Sequence, residues 1–136
     1  MKYLRDSNTA INIMRHPQRA AATRFLSLPP SDLATSIIVK AELCVGPNRK
    51  KSHSTEPAKL ARFLSRVKIL PFDDNCAEEF GRLAAHVLDA GTPVGALDVQ
   101  IGATARAFSL IVVTRNAKDF GKLPGIQIEN WITDSP

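Results

Sequence analysis

No apolar run in this sequence of 136 residues reaches the roughly 18 residues that a membrane-spanning helix needs. Cysteine is scarce. Cys44 and Cys76 form neither a CxxC pair nor a disulfide framework, which predicts two reduced, mostly buried thiols. His16, His53 and His86 are scattered without zinc-ligand spacing, which argues against a His/Cys zinc site. One Trp and one Tyr leave few aromatic platforms for stacking single-stranded bases. The opening residues lack the basic-then-apolar layout of a secretory leader, because Arg5 and Asp6 interrupt the first apolar stretch. These absences predict a cytoplasmic protein without a membrane span.

What is present points to one globular domain over residues 1–136, with 44% hydrophobic content and length enough to close a single core. The net charge of +5 is unevenly spread. Residues 1–68 carry 13 Lys/Arg against 4 Asp/Glu, whereas residues 69–136 carry 5 against 9. The densest basic run, Arg49-Lys50-Lys51, is followed by His53, with Arg15, Arg19, Arg24 and Lys40 upstream. Such a bias suits an ordinary solvated face, or attraction for a phosphate backbone or an acidic protein partner.

Strand and helix signals alternate along the chain. Lys2–Arg5 reads as a first strand, and Asn8–Met14 and Gln18–Leu28 as helices separated at His16-Pro17. Leu33–Thr35 is a second strand, with Ser36 placed to cap a helix through Val45, stopped by Gly46-Pro47-Asn48. Leu60, Phe63, Leu64 and Val67 form the stripe of an amphipathic helix over 56–67. Val67–Pro71 is a third strand. Asp73 or Asp74 caps the next helix, whose apolar face is Ala77, Phe80, Ala84, Val87 and Leu88, and Gly91 ends it. Leu97, Ile101, Ala105 and Phe108 mark a buried helix. The apolar run Leu110–Thr114 reads as a central parallel strand, and "IQIENW" as an edge strand. The alternation predicts an α/β sandwich around a mostly parallel sheet. In such sheets ligands bind beyond the carboxyl ends of the strands, which brings Asp6 near Asn116 and Asp119.

Two further acids stand among apolar or small neighbours: Glu42 in "SIIVKAELCVG" and Asp98 in "TPVGALDVQIGATA". Each has an ordinary explanation. Asp6, Ser7 and Asn8 suit a helix start, Glu42 suits a solvent face beside Lys40, and Asp98 suits a first helical turn.

Taken together, "YLRDSN" (3–8), "IVKAELCVG" (38–46), "GTPVGALDVQIGATA" (91–105) and "LIVVTRNAKDF" (110–120) resemble, in order and spacing, the motifs of PIN-domain ribonucleases. The likeness is nearest to the VapC toxins of bacterial toxin–antitoxin pairs and runs from the first strand to "IENW". It implies a PIN-like α/β/α sandwich and makes Asp6, Glu42 and Asp98 the core acidic ligands of Mg²⁺ or Mn²⁺. Asp119 matches a fourth acid of many VapC toxins, and Asn116 a position where other PIN domains carry aspartate. Ser7 stands where threonine is usual, and Arg5 where an apolar residue is usual. Ser7, Asn8, Thr114 and Asn116 are supporting residues that hold waters or the scissile phosphate. Asp119 keeps a second reading, as a helix-start residue answering an Asn116 cap.

The resemblance implies a metal-dependent endoribonuclease toxin that cleaves structured RNA, such as a tRNA or rRNA loop. It also implies a homodimer neutralised by a cognate VapB-type antitoxin. The alternatives are an RNA-processing PIN nuclease without an antitoxin and a non-catalytic RNA- or protein-binding module. Clustered acids argue against the last, because a phosphate binder gains nothing from buried negative charge.

Overall fold

Five short strands carry the fold, which a computed structural model describes for residues 1–133. They are β1 (Tyr3–Arg5), β2 (Leu33–Ser36), β3 (Lys68–Leu70), β4 (Ile111–Val113) and β5 (Ile128–Glu129), in the order β3-β2-β1-β4-β5. Every pairing is parallel, so each connection crosses over through helical segments. Helices α1 (Ser7–Arg15) and α2 (Ala20–Ser27) link β1 to β2. Helices α3 (Ile37–Leu43), α4 (Val45–Asn48) and α5 (Glu56–Leu64) link β2 to β3. Helices α6 (Asp74–Ala90) and α7 (Ala96–Phe108) lead to β4, and α8 (Ala117–Phe120) leads towards β5. All of β1 is buried, as expected of a central strand covered on both faces. On the helical layers, α1 packs against α2, α3 and α5, and α6 against α7.

This arrangement is the expected α/β/α sandwich. The chain lays β2 and β3 on one side of β1, then returns to place β4 and β5 on the other. The crevice at the carboxyl ends of β1 and β4 is therefore the switch point where such sheets bind ligands.

Local signals set most boundaries. Ser36 caps α3 through its hydroxyl, which accepts from the Val39 N–H at 3.0 Å. Asp73, rather than Asp74, caps α6 by accepting from the Cys76 N–H at 3.0 Å. Gly91 ends α6 at φ +67°, a left-handed conformation that costs glycine little. Gly102 on α7 serves a different need, since a Cβ there would lie 2.7 Å from Leu123 Cδ1.

Several expected boundaries and faces shift. The helix expected to reach Val45 ends at Leu43, and Gly46-Pro47-Asn48 belongs to the short turn α4 instead of stopping the chain. Pro47 is tolerated there because the first turn needs no N–H acceptor. The helix expected from Gln18 begins at Ala20, and the one expected to reach Val67 ends at Leu64. On α6 the buried residues are Cys76, Leu83 and Val87, whereas Ala77 and Leu88 are exposed, Leu88 by 78%. Leu97 is 47% exposed at the start of α7, which buries Val99 and Ile101–Ala105 instead. Cys76 is buried and Cys44 half-buried, both as free thiols.

The core contains one large departure from apolar chemistry. Arg5 on β1 is fully buried. Its Nη2 donates to the Ala34 carbonyl at 2.6 Å, and its guanidinium lies 5.0, 5.9 and 6.0 Å from the ring centroids of Phe25, Phe63 and Trp131. Its Nε and Nη1 have no hydrogen-bond partner among the described residues. Burial pushes its pKa down to about 9, so it remains charged at neutral pH. Aromatic faces attract a cation by about 0.5–2 kcal/mol each, which only partly offsets the cost of burying an uncompensated charge. Arg5→Met, which keeps the length and removes the charge, is therefore expected to leave stability unchanged or raise it by about 1–3 kcal/mol in urea unfolding. Arg5→Ala, which leaves a cavity among three rings, is expected to lower it by about 2–4 kcal/mol.

Candidate active site

Asp6 follows β1 and is itself the N-cap of α1. Its Oδ1 accepts the Thr9 backbone N–H at 2.9 Å, and its Oδ2 accepts the Thr114 hydroxyl at 2.5 Å. The expectation that Ser7 and Asn8 begin the helix is met one residue on from the cap, with Ser7 in the first turn. Asp6 is 5% exposed, so one carboxylate starts the helix, ties β1 to the end of β4 and presents negative charge at the switch point. Thr114 is buried and accepts the Asn116 N–H at 2.9 Å while donating to Asp6. Its hydroxyl is thus occupied in positioning Asp6, a simpler role than the expected contact with a phosphate.

Ser7 donates its hydroxyl to Glu42 Oε1 at 2.6 Å. This bond brings α3 to the same edge and turns Glu42 away from a purely solvent-facing role beside Lys40. Asn8 is exposed on the first turn of α1. Asp98 lies in the first turn of α7, where the helix N-terminus favours a carboxylate. Asn116 spans two acids, its Nδ2 donating to Asp98 Oδ2 at 3.3 Å and to Asp119 Oδ2 at 3.0 Å. Asn116 also caps α8, its Oδ1 accepting the Asp119 N–H at 3.3 Å. The helix-start geometry of Asn116 and the acidic placement of Asp119 therefore coexist. The reciprocal half of a capping box is replaced, since the Asn116 N–H is taken by Thr114. Lys122 lies 3.6 Å from Asp119 Oδ1, a partner that sequence reasoning did not single out although it stands three residues on.

The electrostatics join the four acids. Burial pushes the Asp98 pKa up, and the negative charges of Asp6, Asp119 and Glu42 push it further, against the Asn116 bond that lowers it. The Asn116 amide, helped by Lys122 and Lys118, holds Asp119 below its ordinary value despite a small opposing effect of burial. Asp98 thus senses every other acid of the set. Among the described residues, however, no group of three or more His, Cys, Asp or Glu side chains is gathered closely enough to hold a metal ion. The donor chemistry, four carboxylates and an amide oxygen with no sulfur or imidazole, is that of a hard-cation site. The acids share one edge, where Ser7 binds Glu42, Thr114 binds Asp6, and Asn116 bridges Asp98 and Asp119.

Known proteins resemble this chain in sequence and in fold. A family model described as "PIN domain" matches residues 3–126. The tRNA(fMet)-specific endonuclease VapC of Salmonella typhimurium is 33% identical over 131 residues, covering 96% of this chain and 98% of that protein. Ribonuclease VapC2 of Rickettsia felis is 33% identical over 132 residues, covering 96% and 98%. A crystal structure of DNA-bound VapBC from Salmonella typhimurium superposes with a TM-score of 0.89 at 33% identity, over 96% of this chain and 98% of that one.

Opposite effects on stability are expected from two substitutions at this edge. Asp98 has a pKa raised by folding, so its ionisation costs stability as pH rises through the folded value. Below the unfolded value that cost is absent. In metal-free protein at pH 7, Asp98→Asn is expected to raise stability by up to about 1 kcal/mol, discounted for its partial exposure. Thr114→Val removes a buried donor to Asp6 and strands the Asn116 N–H, and is expected to lower it by about 1–3 kcal/mol. Urea unfolding of both variants reads the two signs directly.

Proposed function

Since this chain belongs to the PIN-domain family, we propose that it is a VapC-type toxin: an Mg²⁺- or Mn²⁺-dependent endoribonuclease that cleaves a structured RNA. The observation that carries the reading is geometric: Asp6, Glu42, Asp98 and Asp119 share the switch-point edge of a parallel sheet, with Ser7 bound to Glu42, Thr114 to Asp6, and Asn116 to both Asp98 and Asp119. Clustered, mutually repelling acids in a crevice are characteristic of sites where a cationic ligand or a reaction charge uses them.

Each residue has a defined task in this reading. Asp6, immobilised through both oxygens, fixes the centre of the site. Asp98 and Glu42 complete the set that holds the cation, and Asp119 orients water at its edge. A bound divalent ion supplies Lewis-acid activation of water and charge stabilisation at the phosphate. The chain's own groups set the geometry. Ser7 orients Glu42, Thr114 orients Asp6, and Asn116 bridges Asp98 and Asp119 while lowering the cost of their charge. Asn116 Nδ2 is also the donor nearest both carboxylates, well placed to turn towards a phosphate oxygen.

The relatives are named as a tRNA endonuclease and a ribonuclease, and the superposed structure as a VapBC assembly. By that likeness the substrate is a tRNA or rRNA loop, whose unstacked bases allow specific recognition. The partner is a VapB-type antitoxin, and the toxin works as a cytoplasmic homodimer. An antitoxin arginine or lysine entering among Asp6, Glu42 and Asp98 would replace the cation's charge. Among the described residues no helix is long and apolar enough to cross a membrane.

Two measurements test the site. Binding confined to the folded state raises stability by RT ln(1 + [L]/Kd), about 2.7 kcal/mol at a hundredfold excess over Kd, so millimolar Mn²⁺ is expected to raise the Tm of the wild type and not of Asp98→Asn. RNA cleavage is expected to fall by at least about 10²-fold in Asp98→Asn, from the loss of charge stabilisation. For Asp119→Asn, loss of activity partly restored by higher Mn²⁺ marks a fourth member of the site. Near-normal cleavage at low Mn²⁺ leaves three.

A further inference from the structure

A cleft of about 400 Å³ opens beside the acids, between α1, the corner of α3 and α4, and α5. Glu42 stands in its wall, and the same carboxylate accepts Ser7 at the acidic edge, so cleft and site share a residue. The remaining wall has two chemistries. Ile11, Leu43 and Leu60 form an apolar side, and Arg15, His53 and Lys59 supply cationic or donor groups. His53 lies in the loop that carries the exposed run Arg49-Lys50-Lys51 between α4 and α5.

An apolar face, cationic groups and an adjoining acidic centre match the parts of a nucleotide: a flat base, a phosphate, and a neighbouring phosphate at the point of cleavage. The volume lies within the range of small-ligand sites. The polar groups are preset. Thr55 donates its N–H to His53 Nδ1 at 3.3 Å, with its hydroxyl 2.9 Å from the same nitrogen, which leaves Nε2 of the neutral ring to carry the proton as a donor. Glu56, also in the wall, takes the Ser52 hydroxyl at 3.2 Å on Oε2 and keeps Oε1 as an acceptor for a base amine or a 2′-hydroxyl. At Gly46 a Cβ would lie 3.1 Å from Glu56 Oε2, so the missing side chain leaves room for this carboxylate.

We propose that this cleft receives one unstacked RNA nucleotide adjacent to the scissile phosphate, with its base against Ile11, Leu43 and Leu60 and its phosphate facing Arg15 and Lys59. Specific RNA recognition works on such splayed bases, and the cleft thereby ties cleavage to an unpaired position. The inference rests on the ribonuclease reading and deepens it by naming how substrate is selected.

The test uses the full chain, a hairpin RNA that the wild type cleaves, and a fully paired duplex of the same sequence. Arg15→Gln/Lys59→Gln removes two exposed charges, with its Tm measured alongside and the single Lys59→Gln variant as a milder second probe. The double variant is expected to raise KM for the hairpin about tenfold or more, with kcat within about twofold, as removing two charge-assisted hydrogen bonds predicts. The salt dependence of hairpin binding should weaken by about 0.7 for each phosphate that the variant no longer neutralises, and duplex binding should change much less. Unchanged KM and salt dependence in the double variant, while Asp98→Asn abolishes cleavage, overturns the cleft assignment and leaves the ribonuclease intact. Equal losses on hairpin and duplex overturn it as well, marking unspecific attraction. So does intact RNA binding with loss of a protein partner, which reassigns the cleft to that partner. A wild type that cleaves no RNA overturns both readings together.

Discussion

Both oxygens of Asp6 are committed, one to the Thr9 N–H and one to the Thr114 hydroxyl, and the reactive edge is built around that constraint. The first bond starts α1 directly above the end of β1. The second joins residues 108 positions apart across the central strand pair. Because Thr114 also accepts the Asn116 N–H, the turn after β4 is fixed relative to the same carboxylate. Asn116 then reaches Asp98 and Asp119. A single buried carboxylate, through Thr9, Thr114 and Asn116, thus ties the end of β1, the start of α1 and the turn after β4 together.

The cost of this arrangement is electrostatic, and the fold carries it in two places. At the edge, Asp98 is held near three other acids, a repulsion that the Asn116 bond partly offsets. One residue before Asp6, Arg5 is buried among Phe25, Phe63 and Trp131 with two donors unsatisfied. The two sites lie on consecutive residues yet are chemically separate, because alternate residues of a strand face opposite ways and β1 ends between them. Arg5 contacts the Ala34 carbonyl and three aromatic rings, so it serves the aromatic core rather than the acids.

Much of this was legible in the sequence, for reasons that can be named. The Leu110–Thr114 run is too apolar for anything but a central strand, and Ser36, Asp73 and Gly91 carry capping chemistry that acts locally. Glu42 and Asp98 stand out because each interrupts an apolar or small-residue stretch, whereas Asp6 and Asp119 fit ordinary helix starts and join the set only through the family resemblance. The α6 stripe was legible at Phe80, Ala84 and Val87, which face the core, whereas its centre lies towards Cys76 and Leu83 and leaves Ala77 and Leu88 exposed. Arg5 was legible as unusual but not as buried, because arginine normally keeps its charge in water. The bonds from Ser7, Thr114 and Asn116 are long-range, and no local rule predicts which hydroxyl meets which carboxylate.

The central claim is that Asp98 and the acids around it act as one charge cluster awaiting a cation. Carbon-detected NMR titration of the Asp98 carboxyl, without metal and then with millimolar Mg²⁺, tests it most directly. The account predicts a metal-free pKa above the ordinary aspartate value, a fall towards that value in Asp6→Asn, and a marked depression when Mg²⁺ is added. An Asp98 carboxyl that titrates at the ordinary value, unmoved by either change, would contradict it.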